Sequence, residues 1–139
     1  QIDFTASSRH LHNRFNALRS HILAFFLCRR SDDVRHVKGC NTSFWKEDFI
    51  AVNGYNNDLS GWGHEDIELA ARLYNNGTQL RIIKSLAIGY HLYHKLYSRD
   101  KEADNLASYE EVIEQKICYC KNGYKEALQE VGRDGKVWR

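Results

Sequence analysis

Two acids at the start of a predicted helix are the residues of this chain best suited to chemistry. Glu65 and Asp66 follow a glycine-rich loop and begin a helix predicted over residues 65–76. The positive end of a helix dipole favours the ionised form of such acids, and an ionised carboxylate can remove a proton from a hydroxyl group. Successive helical residues point about 100° apart, so we expect different roles for the two acids. Stabilisation of the helix dipole alone also explains acids at these positions.

The loop before these acids carries a tryptophan between two glycines. Trp62 offers a flat apolar surface of the kind on which sugar rings stack, and Gly63 follows it directly. An earlier segment, residues 39–45, begins with Gly39 and places Asn41 among other small polar residues ahead of two aromatic ones. Such a segment suits a strand edge that lines a ligand cleft, and it equally suits an ordinary buried strand.

Two histidines are candidates for metal binding. His91 and His94 are three residues apart at the end of a predicted strand. Side chains at this spacing point to opposite faces of a straight strand, so both can reach one ion only if the chain turns between them. A purely structural role remains the alternative. A divalent ion would also need carboxylate ligands from elsewhere.

The four cysteines give no sign of a disulfide framework or of a zinc site. Cys28, Cys40, Cys118 and Cys120 include no Cys-x-x-Cys pair, which is the usual spacing of structural zinc ligands. We interpret them as buried free thiols in a reducing compartment. This predicts a cytoplasmic location, with peripheral attachment to a membrane as an alternative for a full-length enzyme.

Length and composition indicate one globular domain. The chain has 139 residues, of which 42% are hydrophobic and 27% charged, with a net charge of +2. So small a charge gives no reason to expect nucleic acid as a partner. Periodicity predicts a mixed α/β class with few short strands and several helices. We expect the solvent-exposed face of the helix that carries the two acids to include Glu68, Arg72 and Asn75. The predicted helices cover residues 13–27, 46–53, 65–76, 108–122 and 125–131, and the predicted extended segments cover residues 34–44, 79–84 and 86–92.

The motifs together resemble a known enzyme family. They are similar to the C-terminal, acceptor-side half of inverting glycosyltransferases with the GT-A fold, in particular β-1,4-galactosyltransferases and bacterial chondroitin-polymerase-like transferases. The resemblance covers about residues 35–105. It implies a C-terminal portion of a GT-A nucleotide-sugar transferase fold. The matching segments are residues 39–49, 52–55, 61–66 and 91–94.

The resemblance implies roles for individual residues. Asp66 matches the catalytic base, Glu65 a contact to the acceptor sugar, and Trp62 the loop tryptophan near donor and acceptor. Gly39 matches a backbone position near the donor sugar. The remaining candidates for substrate binding are the neighbours Gly63 and Asn41.

The resemblance also implies a metal ion. His94 matches the metal-binding histidine, and His91 falls at another ligand position, with Mn²⁺ or Mg²⁺ as the expected cofactor. The family's Asp-x-Asp motif lies on an upstream nucleotide-binding half, and no Asp-x-Asp occurs in this sequence. Ile67 replaces a further acid of the animal galactosyltransferases, so the acceptor need not be theirs.

We therefore expect part of a longer enzyme that uses a nucleotide-sugar donor, with UDP as the expected nucleotide, and a glycan acceptor. Within one domain, residues 1–34 would form an N-terminal helical segment, residues 35–105 the galactosyltransferase-like region, and residues 106–139 a C-terminal helical segment. The missing nucleotide-binding half would leave an apolar face exposed, which favours homo-oligomers. The alternatives are a non-catalytic carbohydrate-binding module and a zinc-stabilised interaction module.

Overall fold

A computed structural model describes residues 18–89 and 98–134 of the chain. This part is mixed α/β, as the sequence predicts, with five α-helices and one two-stranded sheet. Among the described residues, no helix has both the length and the apolar character needed to cross a membrane. The elements in chain order are α1 (His21–Leu27), β1 (Arg29–Ser31), two 3₁₀ turns (Val34–His36 and Gly39–Asn41), α2 (Lys46–Ala51), α3 (Glu65–Asn75), β2 (Leu80–Ile82), α4 (Glu102–Glu114) and α5 (Tyr124–Asp134).

Helix α3 is the centre of the fold, because both groups of buried apolar residues include its side chains. On one side, Ala70 and Ala71 pack against Val34 and Val112. On the other side, Leu69 and Leu73 pack against Val52. Small alanine side chains let α4 lie close to α3, so the position of α3 is fixed by packing on two sides.

The pair Glu68 and Arg72 corrects the prediction for α3. The spacing predicted an i,i+4 pair on the solvent-exposed face of the helix. In the structure, Glu68 is only 2% exposed and Arg72 only 1%. Both carboxylate oxygens of Glu68 accept hydrogen bonds from Arg72, at 2.9 and 2.7 Å, and Arg72 also donates to the carbonyl oxygen of Val52 at 2.7 Å. Because every charged atom of the pair has a partner, the pair can be buried. Through the hydrogen bond to Val52, the pair connects α3 to the C-terminal end of α2.

Helix α4 begins earlier than predicted. The capping-box pattern at Ser108 suggested the start, whereas the helix begins at Glu102 and includes Ser108. Acids at Glu102 and Asp104 occupy its first turn, where the helix dipole favours them. The helix ends before Lys116, which has a φ of 52°. Two backbone hydrogen bonds cap this end of the helix. The Lys116 N–H donates to the carbonyl oxygen of Ile113, and the Ile117 N–H donates to that of Val112.

Other predicted elements also change at their boundaries or disappear. Residues 34–44 were predicted as extended, but they contain two 3₁₀ turns. Residues 86–89 form no strand, and the rest of that predicted strand lies outside the described residues. Cys118 and Cys120 lie beyond α4, not on it. Helix α1 begins at His21, where the Ser20 hydroxyl accepts a hydrogen bond from the Leu23 N–H.

The turn after α2 is held by the C-terminal part of the chain. Asn53 is fully buried with a φ of 63°. Its side-chain amide donates to the Cys120 carbonyl oxygen at 2.8 Å and to Glu126 Oε2 at 2.7 Å, and its Oδ1 accepts from the Lys125 N–H at 2.9 Å. Every polar atom of the amide is therefore bonded. The Asn53 side chain therefore holds the start of α5 next to the loop that leads to α3.

Helix α1 leaves apolar side chains exposed. Ile22, Phe25 and Phe26 are 73%, 81% and 75% exposed. Only Ala24 of this helix is buried. Helix α1 therefore presents apolar side chains to solvent. The docking face for a missing half, homo-oligomers and the three-part division of the chain stay predictions.

Candidate functional site

The structure joins two of the predicted site residues directly. The N–H of Gly39 donates a hydrogen bond to Oδ2 of Asp66 at 2.8 Å, although 27 positions separate the two residues. The other carboxylate oxygen, Oδ1, accepts from the N–H of Ile67 at 2.8 Å. A carboxylate oxygen can accept more than one hydrogen bond. Asp66 is half-buried, and the two hydrogen bonds fix the orientation of its carboxylate while leaving lone pairs free.

Gly39 keeps space free beside this carboxylate. A Cβ atom at position 39 would lie 3.5 Å from Asp66 Cβ and 3.8 Å from Oδ2, which are ordinary contact distances. A Cβ atom at position 39 would therefore not overlap with Asp66, so steric overlap does not by itself require glycine there. Any larger side chain at this position would extend next to the carboxylate and could narrow the approach to it.

A small cleft lies against Asp66 and Gly39. Its volume of about 10 Å³ holds about one water molecule. This space admits a group the size of a hydroxyl or a water molecule beside Asp66. The lining is mostly apolar: Val37, Gly39, Thr42, Phe44, Tyr55, Asp66, Leu69, Ala70 and Leu73.

Tyr55 is a site residue to which the sequence analysis gave no role. It lines the cleft with Asp66. Burial raises the pKa of its phenol, and the negative charges of Asp66 and then Glu65 raise it further. The hydroxyl therefore stays protonated at neutral pH and can donate a hydrogen bond. The sequence gives no signal for this role, because the cleft brings Tyr55 beside Asp66 only in the folded chain.

The loop that carries Trp62 has an unusual backbone. Gly61 and Gly63 have φ angles of 78° and 105°, and His64, which precedes α3, has a φ of 69°. Positive φ is accessible to glycine at little cost. The two glycines flanking Trp62 are thus needed for the shape of the loop.

One face of Trp62 is covered by a cation. The Arg99 guanidinium carbon lies 4.1 Å from the centroid of the Trp62 ring, a cation–π contact. Arg99 also lies 3.7 Å from the carboxylate of Glu102. One face of the Trp62 ring is therefore occupied, and a ring-shaped ligand would have only the other face available unless Arg99 moved. Nothing in the sequence analysis predicted this contact.

The remaining predicted substrate residues lie at the rim of the site. Glu65 is exposed in the first turn of α3, and Gly63 is half-buried in the loop before it. Asn41 is exposed in the second 3₁₀ turn, and its side chain lies beside Gly89. Glu65 and Asp66 thus differ in environment, as their helical spacing suggested.

The predicted metal ligands His91 and His94 lie outside the described residues. Within residues 18–89 and 98–134, the structure contains no group of three or more His, Cys, Asp or Glu side chains that could hold a metal ion. The metal assignment stays a prediction.

A family comparison agrees with these motifs. Residues 19–95, more than half of the chain, match the family model described as the N-terminal domain of galactosyltransferase. The matched range includes every predicted site residue. No curated protein and no solved structure matches the chain. The resemblance to galactosyltransferases is confirmed at the level of the family, and placement in the C-terminal half of a longer enzyme stays a prediction. The chain belongs to this family of galactosyltransferase domains, whose activity is of the glycosyltransferase kind.

Proposed function

We propose that this chain is the acceptor-side part of an inverting glycosyltransferase with the GT-A fold. The enzyme would transfer a hexosyl or N-acetylhexosaminyl group from a UDP-sugar to a hydroxyl group of a glycan, in bacterial polysaccharide synthesis. The observation that carries this proposal is the orientation of Asp66, whose two carboxylate oxygens accept hydrogen bonds from backbone N–H groups at the edge of a cleft. A base must be held in place to act on a hydroxyl.

In the proposed reaction, Asp66 removes the proton of the acceptor hydroxyl as its oxygen attacks the anomeric carbon of the donor. The new glycosidic bond forms on the face opposite the leaving group, so the configuration inverts. The bond from the anomeric carbon to the diphosphate breaks, and the electron pair leaves with the UDP. Glu65 at the rim would bind the acceptor sugar, and Trp62 would stack against a sugar ring. Tyr55 would donate a hydrogen bond from its neutral phenol.

We further propose that His94 and His91 contribute imidazole ligands to a Mn²⁺ or Mg²⁺ ion. When bound, such an ion neutralises charge on the departing diphosphate. Two imidazoles leave most of the coordination shell to oxygen ligands, since both ions favour such ligands. These would come from the nucleotide-binding half, which we propose lies outside this sequence. A cytoplasmic enzyme, with the option of peripheral membrane attachment, is part of the same proposal.

A transfer assay with the complete enzyme tests the function. Labelled UDP-hexoses and UDP-N-acetylhexosamines are incubated with glycan acceptors of differing sequence, with and without Mn²⁺. We expect label in the glycan and an inverted anomeric configuration. Sugar binding by titration calorimetry without any transfer would instead indicate a carbohydrate-binding module. Stoichiometric zinc by elemental analysis, with neither binding nor transfer, would indicate an interaction module.

The variant His94→Ala tests the proposed metal ligands separately from the proposed transfer reaction. Loss of one ligand should raise the Mn²⁺ concentration needed for half-maximal activity by about tenfold or more. His91→Ala should have a smaller effect, because its match to a ligand position is looser. His36→Ala, at an exposed histidine of the first 3₁₀ turn, is the control. An unchanged Mn²⁺ titration in the His94 variant would remove the assignment.

A further inference from the structure

The side chain of Asn105 links α4 to the loop that carries Trp62. Asn105 is 4% exposed. Its side-chain amide donates hydrogen bonds to the carbonyl oxygen of Ser60 at 3.1 Å and to that of Gly63 at 2.9 Å. An asparagine amide has two N–H donors. The two acceptors stand on either side of Gly61 and Trp62, so a single side chain fixes both ends of this turn.

The turn needs such an anchor. Positive φ angles at Gly61 and Gly63 are readily adopted by glycine, but glycine also loses the most conformational freedom when it is ordered. The first turn of α4 provides the surroundings: a Cβ atom on Gly61 would lie 3.3 Å from Lys101 Cβ, and one on Gly63 would lie 3.7 Å from Glu102 Cγ. The shape of the loop therefore depends on α4 as well as on its own residues.

We propose that Asn105 is a positioning residue for Trp62. By holding the Ser60 and Gly63 carbonyl groups, it sets the orientation of the indole ring and with it the surface offered to a sugar. The role in sugar recognition rests on the proposed function, whereas the role in ordering Trp62 does not. Asn105 acts only through the loop and is not assigned a contact with substrate.

A matched control exists at the other end of α4. Asn75 uses its side-chain amide in the same way, donating at 3.0 Å to the carbonyl oxygens of both Val112 and Ile117. Replacement of Asn75 thus removes an equivalent pair of hydrogen bonds between α3 and the end of α4. A loss of stability common to both variants can then be separated from an effect on Trp62.

The test uses the chain with Trp62 as its single tryptophan, made by Trp45→Phe and Trp138→Phe. Asn105→Ala should shift the Trp62 emission to longer wavelength and increase its quenching by acrylamide, at temperatures where circular dichroism shows the protein folded. Asn75→Ala should change neither. If Asn105→Ala does not fold, Asn105→Ser is compared with Asn75→Ser, since a hydroxyl retains one donor and an intermediate change is expected.

Equal emission and quenching in the Asn105 variant and its parent would overturn the proposal. So would equal changes in the Asn75 variant. A second arm titrates galactose and N-acetylglucosamine against Trp62 emission. There, Asn105→Ala should weaken binding by about 3- to 10-fold, because sugar binding must then also order the loop. Absence of sugar binding by the parent, with the difference in quenching intact, would contradict the proposed function and leave the positioning role supported.

Discussion

Removal of the Glu68 carboxylate should destabilise the protein more than removal of any exposed acid. Glu68→Ala would leave the guanidinium of Arg72, itself 1% exposed, without the carboxylate that accepts two of its hydrogen bonds. Breaking a buried ion pair in this way typically costs about 3–5 kcal/mol of unfolding free energy. Glu110→Ala, at an exposed acid of α4, should cost about 0.5 kcal/mol or less.

The double variant Glu68→Leu/Arg72→Met tests the reasoning behind this number. It removes both charges together, so the remaining loss is mainly the hydrogen bond from Arg72 to the Val52 carbonyl oxygen. The Val52 carbonyl oxygen still accepts a hydrogen bond from the Cys120 N–H at 3.1 Å, so it is not left unsatisfied. Loss of the one hydrogen bond from a charged donor costs about 1.5–3 kcal/mol, and the double variant should therefore be more stable than Glu68→Ala. Urea unfolding followed by circular dichroism measures all three. A cost for Glu68→Ala within about 1 kcal/mol of that for Glu110→Ala would show that the pair is not desolvated.

Two other predictions concern acid stability and glycine strain. The N–H of Gly123 holds the pKa of Glu126 below its ordinary value of 4.5. The ionised form therefore stabilises the fold above that value, and this stabilisation is lost as the pH falls through the lowered pKa. Glu126→Gln should flatten the acid side of a plot of unfolding free energy against pH, and an unchanged slope would refute this. Gly54→Ala places a methyl group 2.6 Å from the Phe49 ring at a φ of +68°. It should lower the unfolding free energy by more than the roughly 1–3 kcal/mol of backbone strain. Gly77→Ala is the control, because Gly77 has a φ of +91° and a Cβ atom there would have no atom within 4 Å, so only backbone strain should be lost. Equal losses of stability for the two variants in thermal melts would contradict the predicted overlap with Phe49.

The elements that could be predicted are those with strong local signals. The apolar spacing of α3 and the acids in its first turn indicated its position to within one residue at its end, and the Asn-Gly pair placed the end of α2 within two residues. Helix α4 was misplaced because two local signals compete. The pattern at Ser108 resembles a capping box, while the acids at Glu102 and Asp104 satisfy the same dipole two turns earlier.

The candidate site was predicted by residue type but not by contact. The bond from Gly39 to Asp66 spans 27 positions, and no local periodicity encodes it. The burial of Glu68 and Arg72 could not be foreseen, because i,i+4 charge pairs are also common on exposed helix faces. Asn105 was missed for a similar reason, since an asparagine in a charged segment gives no sign that its amide will be buried against another loop.

The exposure of helix α1 did not follow from its sequence pattern. Its spacing predicts an amphipathic helix, yet Phe25 and Phe26 are largely exposed. Their rings contact each other edge to face, with centroids 5.2 Å apart. In the proposed enzyme, the nucleotide-binding half is the expected partner for this face.

The most direct test of the central claim is the turnover number of Asp66→Asn in the complete enzyme, measured together with its stability. Asparagine keeps the shape and one oxygen acceptor but cannot take up the acceptor proton. Loss of general-base catalysis should lower kcat by about 10²–10⁴-fold, while the lost hydrogen bond should cost about 0.5–1.5 kcal/mol of unfolding free energy. Glu65→Gln should instead act mainly on the acceptor KM. Near-normal turnover per folded molecule of Asp66→Asn would show that this carboxylate is not the base and would contradict the account.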